Sequence, residues 1–276
     1  MINEMEYLLL NNLVSIENHG VEISQCILDK YVGKNNLKET KLKVTLSEIA
    51  EASYGIENIK SSGPIHNIFF SQKDYKQVLC ALNKDYSEFL LSTRGTCSEE
   101  VFLELFMVAF YSYISMQDAL LMHASAVSYE NESIVFTASS GVGKTTQAEL
   151  WAKYKNATIL NGDKVFLKRE DDGIYAWGSP WKGSSPYAEN ASAPLRAIVV
   201  LEQAEENSIR KLEGFDVLEY VVPHVFFPTW DERCEQAVLT FLDQVLEETE
   251  IYLLKCRPDE SAVELLAERL AMETAY

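Results

Sequence analysis

The sequence predicts an α/β protein, a mixed β-sheet core built around one glycine-containing loop and preceded by a smaller β-rich N-terminal lobe. Three observations carry this expectation. Residues 133–160 read strand, glycine loop, helix, strand, with helical spacing starting immediately after the loop. Apolar runs at 165–168, 174–177, 196–203 and 251–256 supply further strands, and helical patterns at 214–222, 231–248 and 259–274 flank the last of them. Ahead of residue 97, short apolar runs alternate with Asn, Gly and Lys clusters, as in small strands joined by turns. The expected division is an N-terminal lobe of residues 1–97 and a second domain of residues 98–276.

Composition narrows the function classes. Forty-two acidic residues against 24 basic ones give a net charge of −18 over 276 residues, the opposite of the basic footprint that nucleic-acid binding requires. Hydrophobic residues make up 47%, enough to bury a core and far from a disordered chain. The N-terminus carries Glu4 and Glu6 and shows neither a basic leader nor a small-residue cleavage site, so no secretory signal is expected. The most apolar run, 101–116, includes Glu104 and falls short of the roughly 20 residues a membrane span needs, so no membrane partner is expected. Cys26, Cys80, Cys97, Cys234 and Cys256 are odd in number and scattered, without zinc spacing, and read as reduced thiols of a cytoplasmic protein.

Taken in order, the runs at 7–10, 21–27 and 42–46 are strand candidates in the first lobe. An aromatic strand at 65–70 and a helix at 74–82 follow a Ser-Ser-Gly-Pro turn. Ser98 reads as an N-cap, with Glu99 and Glu100 in the first turn where the helix dipole favours anions. That helix, running to about Met116, is apolar on most faces and is expected to be buried. Strands 119–129 and 133–137, separated by Glu130-Asn131-Glu132, predict a hairpin. Asp171-Asp172 before Gly173 predicts another.

The chemistry concentrates in Ala138-Ser139-Ser140-Gly141-Val142-Gly143-Lys144-Thr145-Thr146. Gly141 and Gly143 let successive N–H groups turn inward, and the following helix adds its positive end, so the loop can cradle phosphate oxygens. Lys144 would bridge the β and γ phosphates, and the Thr145 hydroxyl suits magnesium, the arrangement of a Walker A loop with Ala138 where the first Gly usually stands. Asp163, in Asn161-Gly162-Asp163-Lys164 after the next strand, is the carboxylate placed to hold magnesium or to accept a hydroxyl proton, with a turn residue beside Gly162 as the lesser alternative. His123 lies on the strand that precedes the phosphate-loop strand, either as a core residue or as a partner of Asp163. His19, His66 and His224 show no constellation. The loop from Trp177 to Tyr187, with Trp181, Lys182 and Gly183, either covers a substrate or anchors itself.

His123-Ala124-Ser125-Ala126-Val127, the loop ASSGVGKTT, Asn161-Gly162-Asp163-Lys164 and Trp177-Gly178-Ser179-Pro180-Trp181-Lys182-Gly183 together resemble the HPr kinase-related proteins. That group shares its P-loop core with ATP-dependent phosphoenolpyruvate carboxykinase. Residues 194–207, Phe227-Pro228-Thr229-Trp230 and 254–263 extend the resemblance over about 119–266, and the N-terminal lobe matches only loosely. The resemblance implies a serine kinase in which Lys144 and Thr145 bind phosphates and magnesium, Asp163 acts as base and His123 supports it. It also implies ATP and Mg2+ as cofactors, with Ser139, Ser140, Gly141, Val142, Gly143 and Thr146 completing the nucleotide loop. Two departures stand out: a run of three acids in HPr kinase is replaced by Gly162-Asp163-Lys164, so a second metal-linked carboxylate is missing, and its glutamate-arginine-glycine motif is not evident, which bears on HPr as acceptor and on reverse phosphorolysis. The wider group includes kinases of lasso peptide clusters, which phosphorylate a precursor peptide. HPr kinases form hexamers, so the resemblance leaves room for a homo-oligomer.

The expected function is therefore transfer of the ATP γ-phosphate to a hydroxyl, first of all a serine of a peptide or small protein. The alternatives are a kinase of a free amino acid or hydroxy acid, and a non-catalytic nucleotide-binding regulator. A carboxykinase ranks last, because that resemblance implies a chain about twice as long.

Overall fold

The structure, a computed structural model, describes residues 3–21, 27–32, 40–48, 66–70, 78–82, 85–93 and 99–273. The expected helix cap at Ser98, the boundary near 94–97 and most of the 21–27 run lie outside these residues. The chain divides into two compact units, Met1–Met116 with Pro228–Cys234, and Gln117–Phe227 with Glu235–Tyr276.

The first unit contains β1 (Asn3–Leu9), β2 (Asn12–Asn18), β3 (Leu42–Glu48), β4 (His66–Phe70), β5 (Val78–Leu82), β6 (Glu88–Thr93) and α1 (Glu99–Ser115). Its sheet order is β1-β2-β3-β6-β5-β4. Leu10 and Asn11, both at positive φ, make the two-residue turn that suits the twist of the β1–β2 hairpin. In β3, buried Leu42, Val44 and Leu46 alternate with the more exposed Lys43 and Thr45, the period of two expected of a half-buried strand. The helix expected over 74–82 is not formed at its end: Val78–Leu82 is a strand between β4 and β6. A short apolar run without a clear period fits either element, and pairing on both sides decides it. Helix α1 opens the second domain in the sequence reading and groups with the first unit here. It buries Phe102, Phe106 and Phe110 and exposes Glu104. Trp230 Nε1 donates to Ser112 Oγ at 2.9 Å, tying the 228–234 segment to that helix.

The second unit contains β7 (Ala119–Tyr129), β8 (Glu132–Thr137), α2 (Lys144–Lys155), β9 (Thr158–Asn161), β10 (Lys164–Glu170), β11 (Gly173–Trp177), β12 (Ser192–Gln203), β13 (Ser208–Lys211), α3 (Phe215–Val221), β14 (Val225–Phe226), the main part of α4 (Glu232–Glu248), β15 (Glu250–Cys256) and α5 (Glu260–Glu273). These strands form one mixed sheet in the order β11-β10-β7-β8-β12-β15-β13, with β9 and β14 also paired to β7. Strands β8, β12 and β15 are parallel. Both predicted hairpins form, β7–β8 through Glu130 and Asn131 at positive φ, and β10–β11 through Asp171-Asp172. Ala197 to Leu201 of β12 are buried without alternation, as befits a parallel strand covered on both faces. Helices α2 and α5 pack over one face, where Phe136, Trp151, Val199, Tyr252, Leu254 and Leu266 share a core. Among the described residues, no helix is long and apolar enough to cross a membrane.

Candidate active site

Strand β8 delivers the chain into the glycine loop, and α2 begins at Lys144. Gly141 has φ +81 and Gly143 φ +121, backbone states that L side chains rarely adopt and that this tight entry to the helix requires. Ser139, Ser140, Gly141 and Thr146 are exposed along the loop, Val142 and Gly143 are half-buried, and Lys144 is buried. Ser125 Oγ on β7 donates to the Lys144 carbonyl at 2.6 Å, fastening the first helical turn to the sheet.

The Lys144 ammonium folds back into this loop. It donates to Ala138 O at 3.0 Å and to Ser139 O at 3.4 Å, and lies 2.9 Å from His123 Nε2. Burial lowers the pKa of Lys144, opposed by the Asp163 carboxylate. His123 Nδ1 is 3.4 Å from Asp163 Oδ1. Because an ammonium only donates, Nε2 is the acceptor of a neutral imidazole and Nδ1 carries the proton that faces Asp163. Burial first, and the Lys144 charge second, hold His123 below the ordinary histidine value, so the neutral form prevails at pH 7. The structure thus brings Lys144, His123 and Asp163 into one line.

Asp163 stands at the bend between β9 and β10. Buried Asn161 makes that bend: its Oδ1 accepts from the Asp163 and Lys164 N–H groups at 2.8 and 2.9 Å, while its Nδ2 donates to Ser179 O at 2.8 Å. Lys164 Nζ lies 2.9 Å from Asp163 Oδ2, so both carboxylate oxygens have a cationic or N–H partner. Thr145 Oγ1 donates to Gly162 O at 2.9 Å, which puts the hydroxyl beside the same bend. A Cβ on Gly162 would run into Ser185 Oγ. Among the described residues, no cluster of three or more His, Cys, Asp or Glu side chains could hold a metal by itself.

The aromatic loop anchors itself. Trp177 and Trp181 are buried, Trp181 edge-on to Phe166 at 5.9 Å, so neither ring is free to stack on a ligand. The glycine within that loop has the closer bearing on the site. Gly183 has φ +56, and a Cβ there would lie 2.7 Å from Asp163 Oδ2. Gly183→Ala should therefore displace the carboxylate and slow any reaction that depends on Asp163 by about tenfold or more, since misplacement by about 1 Å can cost 10²-fold. Steady-state kinetics on a folded variant check this, and parental turnover would show that Asp163 does not need its present position.

His224, read from the sequence as isolated, belongs beside this site. It ends a short 3-10 turn packed on β7, just before Val225 pairs with Met122 and Phe226 with Leu121. Phe226 meets the His123 ring edge-on at 6.3 Å. Burial, then the charges of Lys144 and His123, lower the His224 pKa. No local pattern marks His224, because its neighbours come from a strand about 100 residues earlier. Asn161 and Gly183, by contrast, sit in Asn-Gly and Lys-Gly-Ser stretches whose turn chemistry is visible in the sequence.

No family model matches the chain, and no curated protein matches it. Among solved structures, the HPr(Ser) kinase/phosphatase from Coxiella burnetii matches at 12% identity and a TM-score of 0.35, covering 55% of this chain and 98% of that one. Similarity at that level leaves the chemistry of this chain to be argued from its own residues.

Proposed function

We propose that this chain is a phosphotransferase that moves the γ-phosphoryl group of Mg-ATP to a hydroxyl, with a serine of a peptide or small protein as acceptor. The observation that carries the reading is the line Lys144 Nζ, His123 Nε2 and Nδ1, Asp163 Oδ1, with separations of 2.9 and 3.4 Å, at the mouth of a glycine loop that opens a helix. The loop N–H groups and the start of α2 would bind phosphate oxygens, and Lys144 would leave its carbonyl partners to neutralise charge on the transferring group.

The donor set fits magnesium arriving with the nucleotide. Mg2+ keeps several waters and takes one or two protein oxygens beside substrate phosphates, and Thr145 Oγ1 and Asp163 are such a pair at one bend. When bound, the ion would offset phosphate charge. Asp163 would accept the acceptor hydroxyl's proton, because a carboxylate offers about four lone-pair sites and its present contacts leave some free. His123 would orient that carboxylate through Nδ1–H, and Lys164 would hold its second oxygen.

The test is transfer of labelled γ-phosphate from Mg-ATP to a pooled panel of HPr, serine-bearing precursor peptides and free hydroxylated metabolites, separated by size. Label in the peptide or protein fraction is the expected outcome. Label confined to small molecules would replace the acceptor class, and nucleotide binding without transfer to any acceptor would make the chain a regulator.

A further inference from the structure

The turn that lies over Asp163 carries a serine at its tip. Ser185 N–H donates to Lys182 O at 3.0 Å and closes the four residues Lys182-Gly183-Ser184-Ser185. Gly183, at φ +56, takes the first central place of that turn, where left-handed backbone favours glycine. Both neighbours of Ser184 are pressed onto the Gly162-Asp163 bend. On one side, a Cβ on Gly183 would lie 2.7 Å from Asp163 Oδ2, and on the other, a Cβ on Gly162 would run into Ser185 Oγ. Ser184 is bracketed between these two contacts, its Cα about 3.8 Å from that of Gly183.

Three hydroxyls stand at this bend, on Thr145, Ser184 and Ser185, and their surroundings differ. Ser185 is buried, and its Oγ accepts from the Tyr187 N–H at 3.2 Å. Thr145 Oγ1 donates to Gly162 O at 2.9 Å and is the oxygen suited to magnesium. Ser184 alone of the three is exposed. A hydroxyl becomes a nucleophile when a base stands within hydrogen-bond reach, and the residue next to Ser184 already touches the Asp163 carboxylate. Two cations flank the same turn, half-buried Lys182 at its start and Lys164, whose Nζ lies 2.9 Å from Asp163 Oδ2. A phosphoserine adds about 1.5 to 2 negative charges and three acceptor oxygens, which neighbouring ammonium groups can meet.

We propose that Ser184 is an acceptor within the chain itself, so that the protein phosphorylates its own Lys182–Ser185 turn in cis. The bond between the γ-phosphorus and the oxygen bridging to the β-phosphate breaks, and ADP leaves with that electron pair. A bond forms from Ser184 Oγ to the phosphorus, and the Oγ proton passes to Asp163. The assignment rests on the phosphotransferase reading proposed above and adds a modification site to it.

The experiment incubates the phosphatase-treated chain with Mg-ATP and no other acceptor, and locates any phosphoryl group by tandem mass spectrometry. The parent should gain one group, on Ser184, at a rate unchanged by dilution of the chain. Ser184→Ala should gain none while melting within about 2 °C of the parent, because it alters an exposed turn position. Asp163→Asn should slow the labelling by about 10²-fold or more. A second readout needs no transfer: in Ser184→Cys, saturating Mg-ATP should slow alkylation of the new thiol severalfold, because the nucleotide would end beside it. Phosphate on Ser139, Ser140 or Ser185 instead, a rate that falls on dilution, or alkylation indifferent to Mg-ATP would each overturn the assignment. Phosphorylation of an added peptide or metabolite with none on Ser184 would overturn it too and leave the phosphotransferase reading standing. Label on Ser184 with none on any added acceptor would keep Ser184 and remove the peptide acceptor. No transfer to the chain or to any added acceptor would remove both readings.

Discussion

Asp163→Asn should lower phosphoryl transfer by about 10²- to 10⁴-fold in kcat, the range for losing a positioned general base. The fold should survive, because the bend that presents residue 163 is made by Asn161 and the backbone N–H groups of 163 and 164, none of which the substitution touches. What disappears in the ligand-free chain is the ion pair with Lys164, both side chains 23% exposed. Partly exposed pairs of this kind contribute about 0–1 kcal/mol, so the melting temperature should fall by no more than about 2–4 °C. A carboxamide can still face the His123 Nδ1–H through its oxygen but cannot take up a proton. Turnover therefore drops more than nucleotide affinity. Near-parental turnover in Asp163→Asn would remove Asp163 as the base and return it to the role of a turn residue.

Lys144→Met separates binding from stability in the other direction. The ammonium is buried against two carbonyls and a neutral imidazole, and burial already lowers its pKa. An apolar side chain of similar length relieves that desolvation but leaves the Ala138 carbonyl and His123 Nε2 without that donor, and the two effects offset, so the ligand-free variant should melt close to the parental temperature. The cost falls on the liganded state, where a cation beside the phosphates is missing, with kcat expected to drop by about 10²- to 10³-fold. Thermal shift shows the contrast. Mg-ATP at 100 times its dissociation constant should stabilise the parent by about 2.7 kcal/mol and the variant hardly at all. A variant that Mg-ATP still stabilises to the parental extent would show that Lys144 does not meet the phosphates.

The parts legible in the sequence are those with local causes. Glu130-Asn131 and Asp171-Asp172-Gly173 were legible as hairpin turns because each is a short polar stretch between two apolar runs, with Asn131 and Gly173 at positive φ where such residues are favoured. The loop from Ala138 to Thr146 was legible between a strand and a helix because its glycines, lysine and hydroxyls lie within nine consecutive residues. Val78–Leu82 read as helix, since five apolar residues carry no period to decide it, and two neighbouring strands made it a strand. Strands β13 and β14, four and two residues long, were missed for the same reason, as their pairing partners define them.

The site divides along the same line. Its residue types, the glycine loop, Lys144, Thr145 and an acid after the next strand, were determined by the sequence alone, because each chemistry needs a particular side chain at a particular step along the chain. Tertiary structure decided the rest. The antiparallel register of β10 against β7 sets Lys164 opposite His123 and brings Asp163 to its ring, the loop after β11 lays Gly183 over Asp163, and β14 carries His224 to the same edge. The parallel ends of β8, β12 and β15 open a cleft lined by residues more than 100 positions apart. Such contacts depend on which strands pair and in which register, a choice made by burying one shared core, and no short stretch of sequence records it.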